Sequence, residues 1–377
     1  MNTFARIPVS FVRGEGTALW DDEGNKYLDA LGGIAVAILG HCHPKVSETI
    51  SLQANKLVHI SNLFQIQEQT ALSEKFCRIS QMDRVFFGNS GAEANEVAIK
   101  LARKYGNDKG IKTPAIITAT GSFHGRTMAT LSATGSEYLQ KGFHPMLADF
   151  IHVDYNNIDA IKKHSENDSV VAVMMEPILG EAGIILPDEG YIKALREVCD
   201  QNGWLLILDE IQTGMGRTGK WFAYEHEDIL PDVMTSAKAL ANGLPIGACA
   251  ARGTAAEILT PGTHGSTFGG NPLACSAAAT TIDVIEEDNL LEKAADIELG
   301  ADGKVVSIRG KGMMLAIELD EVYPDLVLSF LQHGLVVNIT GGGKVIRLLP
   351  AIIMTETEAR AVAEIIQNVV AKLTKGK

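Results

Sequence analysis

The sequence predicts an α/β fold with a large domain, in which helices wrap a mostly parallel sheet, and a smaller α+β domain at the C-terminus. Short apolar runs alternate with amphipathic helical runs through the middle of the chain, as in parallel sheets whose strands are joined by helices. After about residue 300 the runs become short strands without long helices between them. The 377 residues are enough for roughly two or three domains.

The N-terminal residues 1–44 are predicted to form hairpins that pack on the small domain. Gly14, Gly16 and Gly24 interrupt strand-like stretches there, as turn residues do. The first residues, Met1–Arg6, contain no apolar run. We therefore expect no signal peptide and a cytoplasmic protein.

Residues 45–275 are predicted to form the large domain. Its strands are expected to be buried on both faces, because their runs are almost wholly apolar. They are predicted at Ala115–Thr118, Val170–Met175, Trp204–Leu208, Val233–Ser236 and Ile246–Ala251. Amphipathic helices are predicted at Ala92–Tyr105 and Tyr191–Asn202.

Residues 276–377 are predicted to form the small domain, hinged on a helix that begins at Pro272 and runs to Glu287. Its strands are predicted at Val305–Arg309, Met314–Leu319, Val336–Ile339 and Val345–Leu348. A closing helix is expected over Glu356–Leu373.

The composition excludes several classes of partner. The net charge is −13, whereas nucleic acid or an anionic membrane calls for a basic surface. The chain has no run of about 18 apolar residues that could span a bilayer. Its five cysteines are widely spaced without a metal-ligand pattern, so we expect reduced thiols and no metal site.

Two residues that follow predicted strands are candidates for chemistry. Asp209 ends the apolar run Leu206–Leu208, which places its carboxylate at the sheet edge where α/β proteins bind ligands. Lys238 lies between a strand and the turn Asn242–Pro245, where burial would lower its pKa and favour attack on a carbonyl. Taken singly, the aspartate is better explained as a helix cap or a solvated acid, and the lysine as one of the many solvated lysines.

Two loops could bind an anion and a ring. Ser90 and Gly91 precede a helical run, whose free N–H groups favour a phosphate, although an ordinary serine cap gives the same pattern. In the loop Gly121–Thr127, Phe123 could stack on a planar ring and Arg126 could bind a carboxylate. A surface ion pair is the alternative for the arginine.

Two further charges and one glycine motif complete the candidates. Glu181 lies in a Gly-rich segment, and Arg347 lies inside an apolar strand, where a charge usually has a partner or a function. Gly214–Gly219 matches the dinucleotide fingerprint G-x-G-x-x-G, but no helix pattern opens at Gly219. A Gly-rich turn is therefore favoured over a nicotinamide site.

The set as a whole indicates pyridoxal 5′-phosphate. A phosphate site at a helix start, a ring-stacking aromatic, a strand-end aspartate and a buried lysine are the groups that this cofactor requires. The lysine would form an imine with the aldehyde, and the aspartate would keep the pyridine nitrogen protonated. A hydrolase or a metal enzyme has no need of this combination, and a non-enzymatic binding protein would not need the lysine.

Over nearly its whole length the chain resembles the class III aminotransferases of fold type I. The shared motifs occur in the family's order, at Gly40–Pro44, Ser90–Asn95, Phe123–Thr127, Asp209–Gly214, the Lys238 segment and His264–Pro272. Its compact N-terminal segment is most similar to the acetylornithine branch of that family. Ala92, where threonine is common, Phe4, where tyrosine is frequent, and Ala37, where many relatives have asparagine, depart from the pattern.

The resemblance implies a role for each candidate. Lys238 and Asp209 would be catalytic. The cofactor would be held by Ser90, Gly91, Ala92, Phe123, Asp209, Gln212, Lys238 and Thr267. Thr267 would reach the phosphate of the neighbouring subunit, which implies a homodimer with shared active sites.

The implied reaction moves the terminal amino group of N-acetylornithine to 2-oxoglutarate in arginine biosynthesis, giving N-acetylglutamate 5-semialdehyde and glutamate. Arg126 would bind the donor's α-carboxylate while Glu181 neutralises Arg347, which would be released for the acceptor. A permanent Glu181–Arg347 bridge is the alternative.

Ornithine, succinylornithine, succinyl-diaminopimelate and 4-aminobutyrate are alternative donors. A decarboxylase or racemase on the same scaffold would not need Arg347.

Overall fold

The computed structural model describes residues 1–293 and 304–373. Residues 294–303 and 374–377, which belong to the predicted small domain, lie outside the described residues. The strands are β1 (Phe11–Glu15), β2 (Ala18–Asp21), β3 (Lys26–Asp29), β4 (Arg84–Gly88), β5 (Ala115–Ala119), β6 (Phe150–Val153), β7 (Val170–Met175), β8 (Leu205–Asp209), β9 (Val233–Ser236), β10 (Gly247–Ala251), β11 (Val305–Lys311), β12 (Met314–Leu319), β13 (Leu335–Val336), β14 (Asn338–Thr340) and β15 (Val345–Leu348).

The predicted helices agree with the observed ones to within a few residues. The α-helices are α1 (Gly32–Ala35), α2 (Pro44–Lys56), α3 (Gln67–Ser80), α4 (Gly91–Asp108), α5 (Met128–Ala133), α6 (Glu137–Gln140), α7 (Ile158–Lys162), α8 (Tyr191–Asn202), α9 (Pro272–Glu287), α10 (Leu290–Lys293), α11 (Leu326–Gln332) and α12 (Glu356–Lys372). In the described ranges, no helix combines the length and the apolar character needed to cross a bilayer.

The central sheet has seven strands in the order β4-β10-β9-β8-β7-β5-β6. Strand β10 runs antiparallel to both of its neighbours, and the other strands are parallel to one another. Every residue of β5, β7, β8, β9 and β10 is buried. Apolar runs without alternation form such strands because both faces of the sheet are covered, and the predicted mostly parallel sheet is confirmed.

Within the described residues, two further sheets have four strands each. The first joins the N-terminal hairpins β1-β2-β3 to β13, and the second has the order β11-β12-β15-β14. Gly16 and Gly24, in the turns of the two hairpins, have φ of 56° and 86°, in the left-handed region that glycine adopts readily. The single strand predicted over Val336–Ile339 is wrong, because the chain changes sheets at Val337 and so forms β13 and β14.

These pairings support a division into three parts, which we propose at residues 1–44, 45–275 and 276–377. The N-terminal hairpins pair through β3 with β13 of the C-terminal part. Helix α9 begins with Pro272 at its first turn, where the missing N–H costs no hydrogen bond, and it packs against α2 and α3. Helix α9 therefore connects the large part to the small one.

Candidate active site

A cleft of about 430 Å³ opens where β7, β8 and β9 end, at their carboxyl edge. Ligands of open α/β sheets bind at this edge. The cleft brings together eight of the predicted site residues, which are Ser90, Gly91, Ala92, Phe123, Arg126, Asp209, Gln212 and Lys238. Val36 from the N-terminal segment and the turn 243–246 also line it.

Asp209 ends β8, the middle strand of the central sheet, and is only 3% exposed. Its Oδ2 accepts hydrogen bonds from Asn95 Nδ2 at 2.7 Å and from His124 Nδ1 at 2.8 Å, and its Oδ1 accepts one from the Ile211 N–H at 3.1 Å. Thr235 on the next strand donates to Asn95 Oδ1 at 2.7 Å, which fixes the orientation of that amide. Three donors around one carboxyl group suit an ionised, immobile carboxylate.

Lys238 follows β9 and faces the same cleft. Its φ of 33° is positive, a strained conformation that is enriched at functional sites. The side chain is half-buried, so it is reached from the cleft but has little contact with bulk water. Burial lowers the pKa of its ammonium group to about 8, although nearby Glu181 opposes that shift. At pH 7 about a tenth of the amine is therefore neutral, against less than about a thousandth for a lysine with the ordinary pKa of about 10.4.

Helix α4 presents its N-terminus to the cleft. Ser90 caps it, because its Oγ accepts a hydrogen bond from the Glu93 N–H at 3.2 Å. The first N–H groups of a helix have no partner inside the helix, and here they belong to Gly91 and Ala92 at the cleft wall. A Cβ at Gly91 would lie 2.7 Å from Ile211 Cδ1, so a larger residue here would displace the Ile211 side chain.

The loop after β5 carries Phe123 and Arg126 into the cleft. The Arg126 guanidinium carbon lies 5.6 Å from the centroid of the Phe123 ring. Arg126 is exposed and Phe123 is half-buried. The arginine is therefore accessible to a solvated carboxylate, while the ring forms part of the wall.

Arg347 on β15 is fully buried and binds Glu181 with 2.6 Å between Nη1 and Oε1. Its Nε donates to Asn338 Oδ1 at 3.1 Å, and Nη1 also lies 3.4 Å from Gln212 Oε1. Its Nη2 has no hydrogen-bond partner in the described part of the chain. The side chain of Glu181 is 36% exposed, so the pair joins a buried cation to an anion that water can reach.

Thr267 lies outside the cleft of its own chain, in an exposed loop that precedes α9. The Gly214–Gly219 motif forms part of a turn over 211–218, and a bend rather than a helix follows at Gly219. The dinucleotide fingerprint is therefore absent at this motif. Its Arg217 is fully buried and donates to the carbonyl oxygens of Met313 and Pro350.

Sequence reasoning gave no role to three residues at the site: Asn95, His124 and Glu176. Asn95 and His124 hold Asp209. Glu176 follows β7 just as Asp209 ends β8, so the same signal of an acid after an apolar strand was present in the sequence. Nothing in the sequence marks Asn95 as a partner of a residue 114 positions away.

Known proteins with the same architecture match almost the whole chain. The model of the family "Aminotransferase class-III" matches residues 2–370. An acetylornithine aminotransferase of Nitrosomonas europaea is 51% identical over 373 residues, covering 96% of this chain and 95% of that protein. One of Caldanaerobacter subterraneus is 47% identical, with coverage of 99% and 97%.

Solved structures give the same result. The crystal structure of an ornithine aminotransferase from Toxoplasma gondii superposes with a TM-score of 0.94 at 33% identity, covering 98% of this chain and 92% of that one. An acetylornithine aminotransferase from Elizabethkingia anophelis gives 0.87 at 33% identity, with coverage of 99% and 96%. The chain belongs to the class III aminotransferases and has their type I fold.

Class III aminotransferases are pyridoxal-phosphate-dependent transaminases, and so is this protein. The cleft fits the cofactor. It offers a partly neutral amine for the aldehyde, an immobile carboxylate for the pyridine nitrogen and a helix N-terminus for the phosphate. Bound there, pyridoxal phosphate supplies an electron-accepting ring.

The pKa of Lys238 predicts how cofactor uptake depends on pH. Only the neutral amine attacks an aldehyde, so the uptake rate should rise from about pH 6 and level off above the pKa of about 8. A lysine with the ordinary pKa of about 10.4 would keep rising through pH 10. Stopped-flow absorbance of the full-length apoenzyme mixed with pyridoxal phosphate measures this profile. A rate that still climbs more than about threefold between about pH 9 and pH 10 would contradict the assignment.

Proposed function

We propose that the protein transfers the terminal amino group of N-acetylornithine to 2-oxoglutarate, as a cytoplasmic step of arginine biosynthesis. The proposal depends on two arginines that differ in exposure and in charge pairing. Arg126 is exposed at the cleft, whereas Arg347 is buried and neutralised by Glu181. A donor with one carboxylate and an acceptor with two require one arginine in the first half-reaction and two in the second.

In the donor half-reaction, Arg126 binds the α-carboxylate of N-acetylornithine and so directs the terminal amine toward Lys238. Glu181 stays on Arg347, which avoids an unpaired buried cation, a costly arrangement in a protein interior. The acetyl group removes the charge of the α-amine, so this end of the donor does not repel the guanidinium of Arg126. The names of the relatives support this choice of donor.

In the acceptor half-reaction, Glu181 turns into solvent and Arg347 takes the α-carboxylate of 2-oxoglutarate, while Arg126 takes the distal one. The partial exposure of Glu181 supports this exchange, since a released carboxylate must be hydrated. The free Nη2 of Arg347 offers the second donor of a bidentate contact. The same site therefore accepts both substrates.

Lys238 and the groups around Asp209 perform the chemistry in this proposal. The amine of Lys238 would act as the general acid and base, accepting a proton from the substrate carbon and returning it, a task that its pKa of about 8 suits near neutral pH. Asp209 would stabilise the protonated pyridine nitrogen of the bound cofactor. When the cofactor is bound, Phe123 would lie against its ring, Gln212 would bind its hydroxyl group, and Ser90, Gly91 and Ala92 would hold its phosphate, since all five residues line the cleft.

A screen of single half-reactions tests the choice of donor. The holoenzyme is mixed with N-acetylornithine, ornithine, succinylornithine, succinyl-diaminopimelate or 4-aminobutyrate, and conversion of the cofactor to its amine form is followed by absorbance. We expect N-acetylornithine to give the highest rate constant per unit concentration. A higher value for ornithine or 4-aminobutyrate would refute the proposed donor.

Replacement of Arg347 by alanine should separate the two half-reactions. We expect the 2-oxoglutarate half-reaction to fall by about 10- to 100-fold, as for loss of a charged bidentate contact, and the donor half-reaction to change by less than about threefold. Glu181 is already partly exposed and remains hydrated in the variant. Single-turnover kinetics of both halves measure the split.

Arg196→Ala is the matched control, because Arg196 also forms an ion pair of low exposure, 2.7 Å from Asp232, away from the cleft. It should affect both half-reactions equally. Equal losses in Arg347→Ala would indicate that the Glu181–Arg347 pair is a permanent structural bridge.

We also propose a homodimer in which Thr267 contacts the phosphate bound by the partner. Thr267 lies in an exposed loop, and neighbouring Phe268 is 61% exposed and contacts the ring of His59. Leu63 and Phe64 are also exposed, at 87% and 64%. Such apolar side chains are suited to burial between two chains. Sedimentation that shows only single chains at micromolar concentration would rule out the dimer.

A further inference from the structure

Glu176 is a second buried carboxylate at the cleft, beside Asp209. It follows β7, and because Met175 pairs with Leu208 in parallel register, Glu176 and Asp209 leave the sheet side by side. Glu176 is only 4% exposed and lines the cleft. None of the steps described above uses it.

Both oxygens of Glu176 bind backbone groups of different loops. Oε1 accepts a hydrogen bond from the Phe123 N–H at 2.8 Å, and Oε2 accepts one from the Gly180 N–H at 3.2 Å. The first loop carries the aromatic ring of the cleft wall, and the second carries Glu181. The Glu176 carboxylate thus connects the loop that carries Phe123 to the loop that carries Glu181, the residue paired with Arg347.

Gly180 is fixed on three sides. Its N–H is bound by Glu176, its carbonyl oxygen lies 3.4 Å from Arg347 Nη1, and a Cβ at this position would lie 2.3 Å from Gln212 Oε1. The two hydrogen bonds therefore restrain the backbone before Glu181. Glu181 can leave Arg347 by rotating its side chain while Gly180 stays in place.

The environment of Glu176 is costly for a carboxylate. Burial raises its pKa to about 7, opposed by His124 and reinforced by Asp209. Two backbone hydrogen bonds compensate only in part. A buried acid with a raised pKa that lines a functional cleft is a candidate for a role beyond packing.

Glu210 shows what a purely structural counterpart looks like. It is also fully buried with a pKa raised to about 7 by burial, and it follows Asp209 directly. Its oxygens accept hydrogen bonds from Thr213 Oγ1 and, at 3.1 Å, from the Tyr224 N–H, and it is not part of the cleft wall. Glu176 and Glu210 are therefore similarly buried but bind different groups: Glu176 binds two loops of the cleft, and Glu210 binds groups away from the cleft wall.

We propose that Glu176 is a positioning residue with two roles. It orients the Phe123 ring toward the cofactor, and it holds the Gly180 backbone in place while the Glu181 side chain leaves Arg347. Its second role rests on the function proposed above, whereas its first role needs only the cofactor site. In Glu176→Gln the amide keeps one acceptor oxygen and points an NH₂ group at the other backbone N–H, so one of the two loops is released.

The test compares full-length Glu176→Gln with Glu210→Gln as the matched control. The first readout is the affinity for pyridoxamine 5′-phosphate, which uses the ring and phosphate contacts without a bond to Lys238, measured by fluorescence titration. We expect Glu176→Gln to lose about tenfold or more and Glu210→Gln to stay within about threefold of the parent. The second readout is the ratio of the acceptor to the donor half-reaction, which should fall only in Glu176→Gln.

Equal affinities in the two variants would overturn the proposal, because the carboxylate would then act only in folding. Should Glu176→Gln fail to fold, Glu176→Asp provides the same comparison, since the shorter side chain cannot span both N–H groups. Failure of the substrate switch is recognised separately. In that case Arg347→Ala slows both half-reactions equally, while the affinity loss in Glu176→Gln persists and supports the positioning of Phe123.

Discussion

Lys238→Ala is expected to abolish turnover and the yellow colour of the purified protein. The variant loses the only amine that the described structure places at the cleft, and with it both the attachment of the cofactor and the proton transfer. General acid–base catalysis alone contributes about 10²–10⁴-fold, so a loss of at least that size is expected. Steady-state assays and a visible spectrum measure both effects.

Lys45→Ala provides the control for this result. Lys45 is a surface lysine, 53% exposed, paired with Glu287 and outside the cleft. Its loss should leave colour and turnover unchanged. Retention of the parent spectrum in Lys238→Ala would show that another amine holds the cofactor.

Asp209→Asn should lower turnover by about 10²–10³-fold or more while the fold is kept. The substitution preserves shape but removes the negative charge that opposes the pyridine nitrogen, and removal of one preorganised electrostatic group costs about this much. It also places an amide among the donors Asn95 and His124, which need an acceptor. Turnover at saturating substrate and thermal unfolding, measured in parallel, separate chemistry from stability.

Asp232→Asn is the matched control for Asp209→Asn. Asp232 lies at the opposite end of the same strands, where its Oδ2 accepts a hydrogen bond from the Leu206 N–H at 2.8 Å and pairs with Arg196. We expect this variant to lose stability but keep its turnover number. A turnover in Asp209→Asn within tenfold of the parent would contradict the role of Asp209.

The sequence predicted most of the large domain because the physical signal is local there. The apolar run Leu206–Leu208 ends in Asp209, so both the strand and the chemistry at its end follow from a short segment. The split of Val336–Ile339 between two sheets could not be predicted. Which partner each half pairs with is decided by distant strands, β3 and β15, and not by the run itself.

The cleft shows the same division between local and distant signals. Asp209 and Lys238 each follow a strand, and parallel strands bring their carboxyl ends to one edge. Asn95 reaches Asp209 only because α4 packs beneath that edge, an arrangement set by tertiary contacts. The contact of Glu176 with Gly180 is local, but its contact with Phe123 joins residues 53 positions apart.

The attachment of the cofactor to Lys238 is tested most directly by borohydride trapping. Borohydride reduces the carbon–nitrogen double bond between an amine and the cofactor aldehyde, so the phosphopyridoxyl group stays on the amine that held it. Digestion and mass spectrometry of the reduced holoenzyme should place the group on the peptide that contains Lys238. A label on another lysine, or an unlabelled Lys238 peptide from active enzyme, would contradict the account.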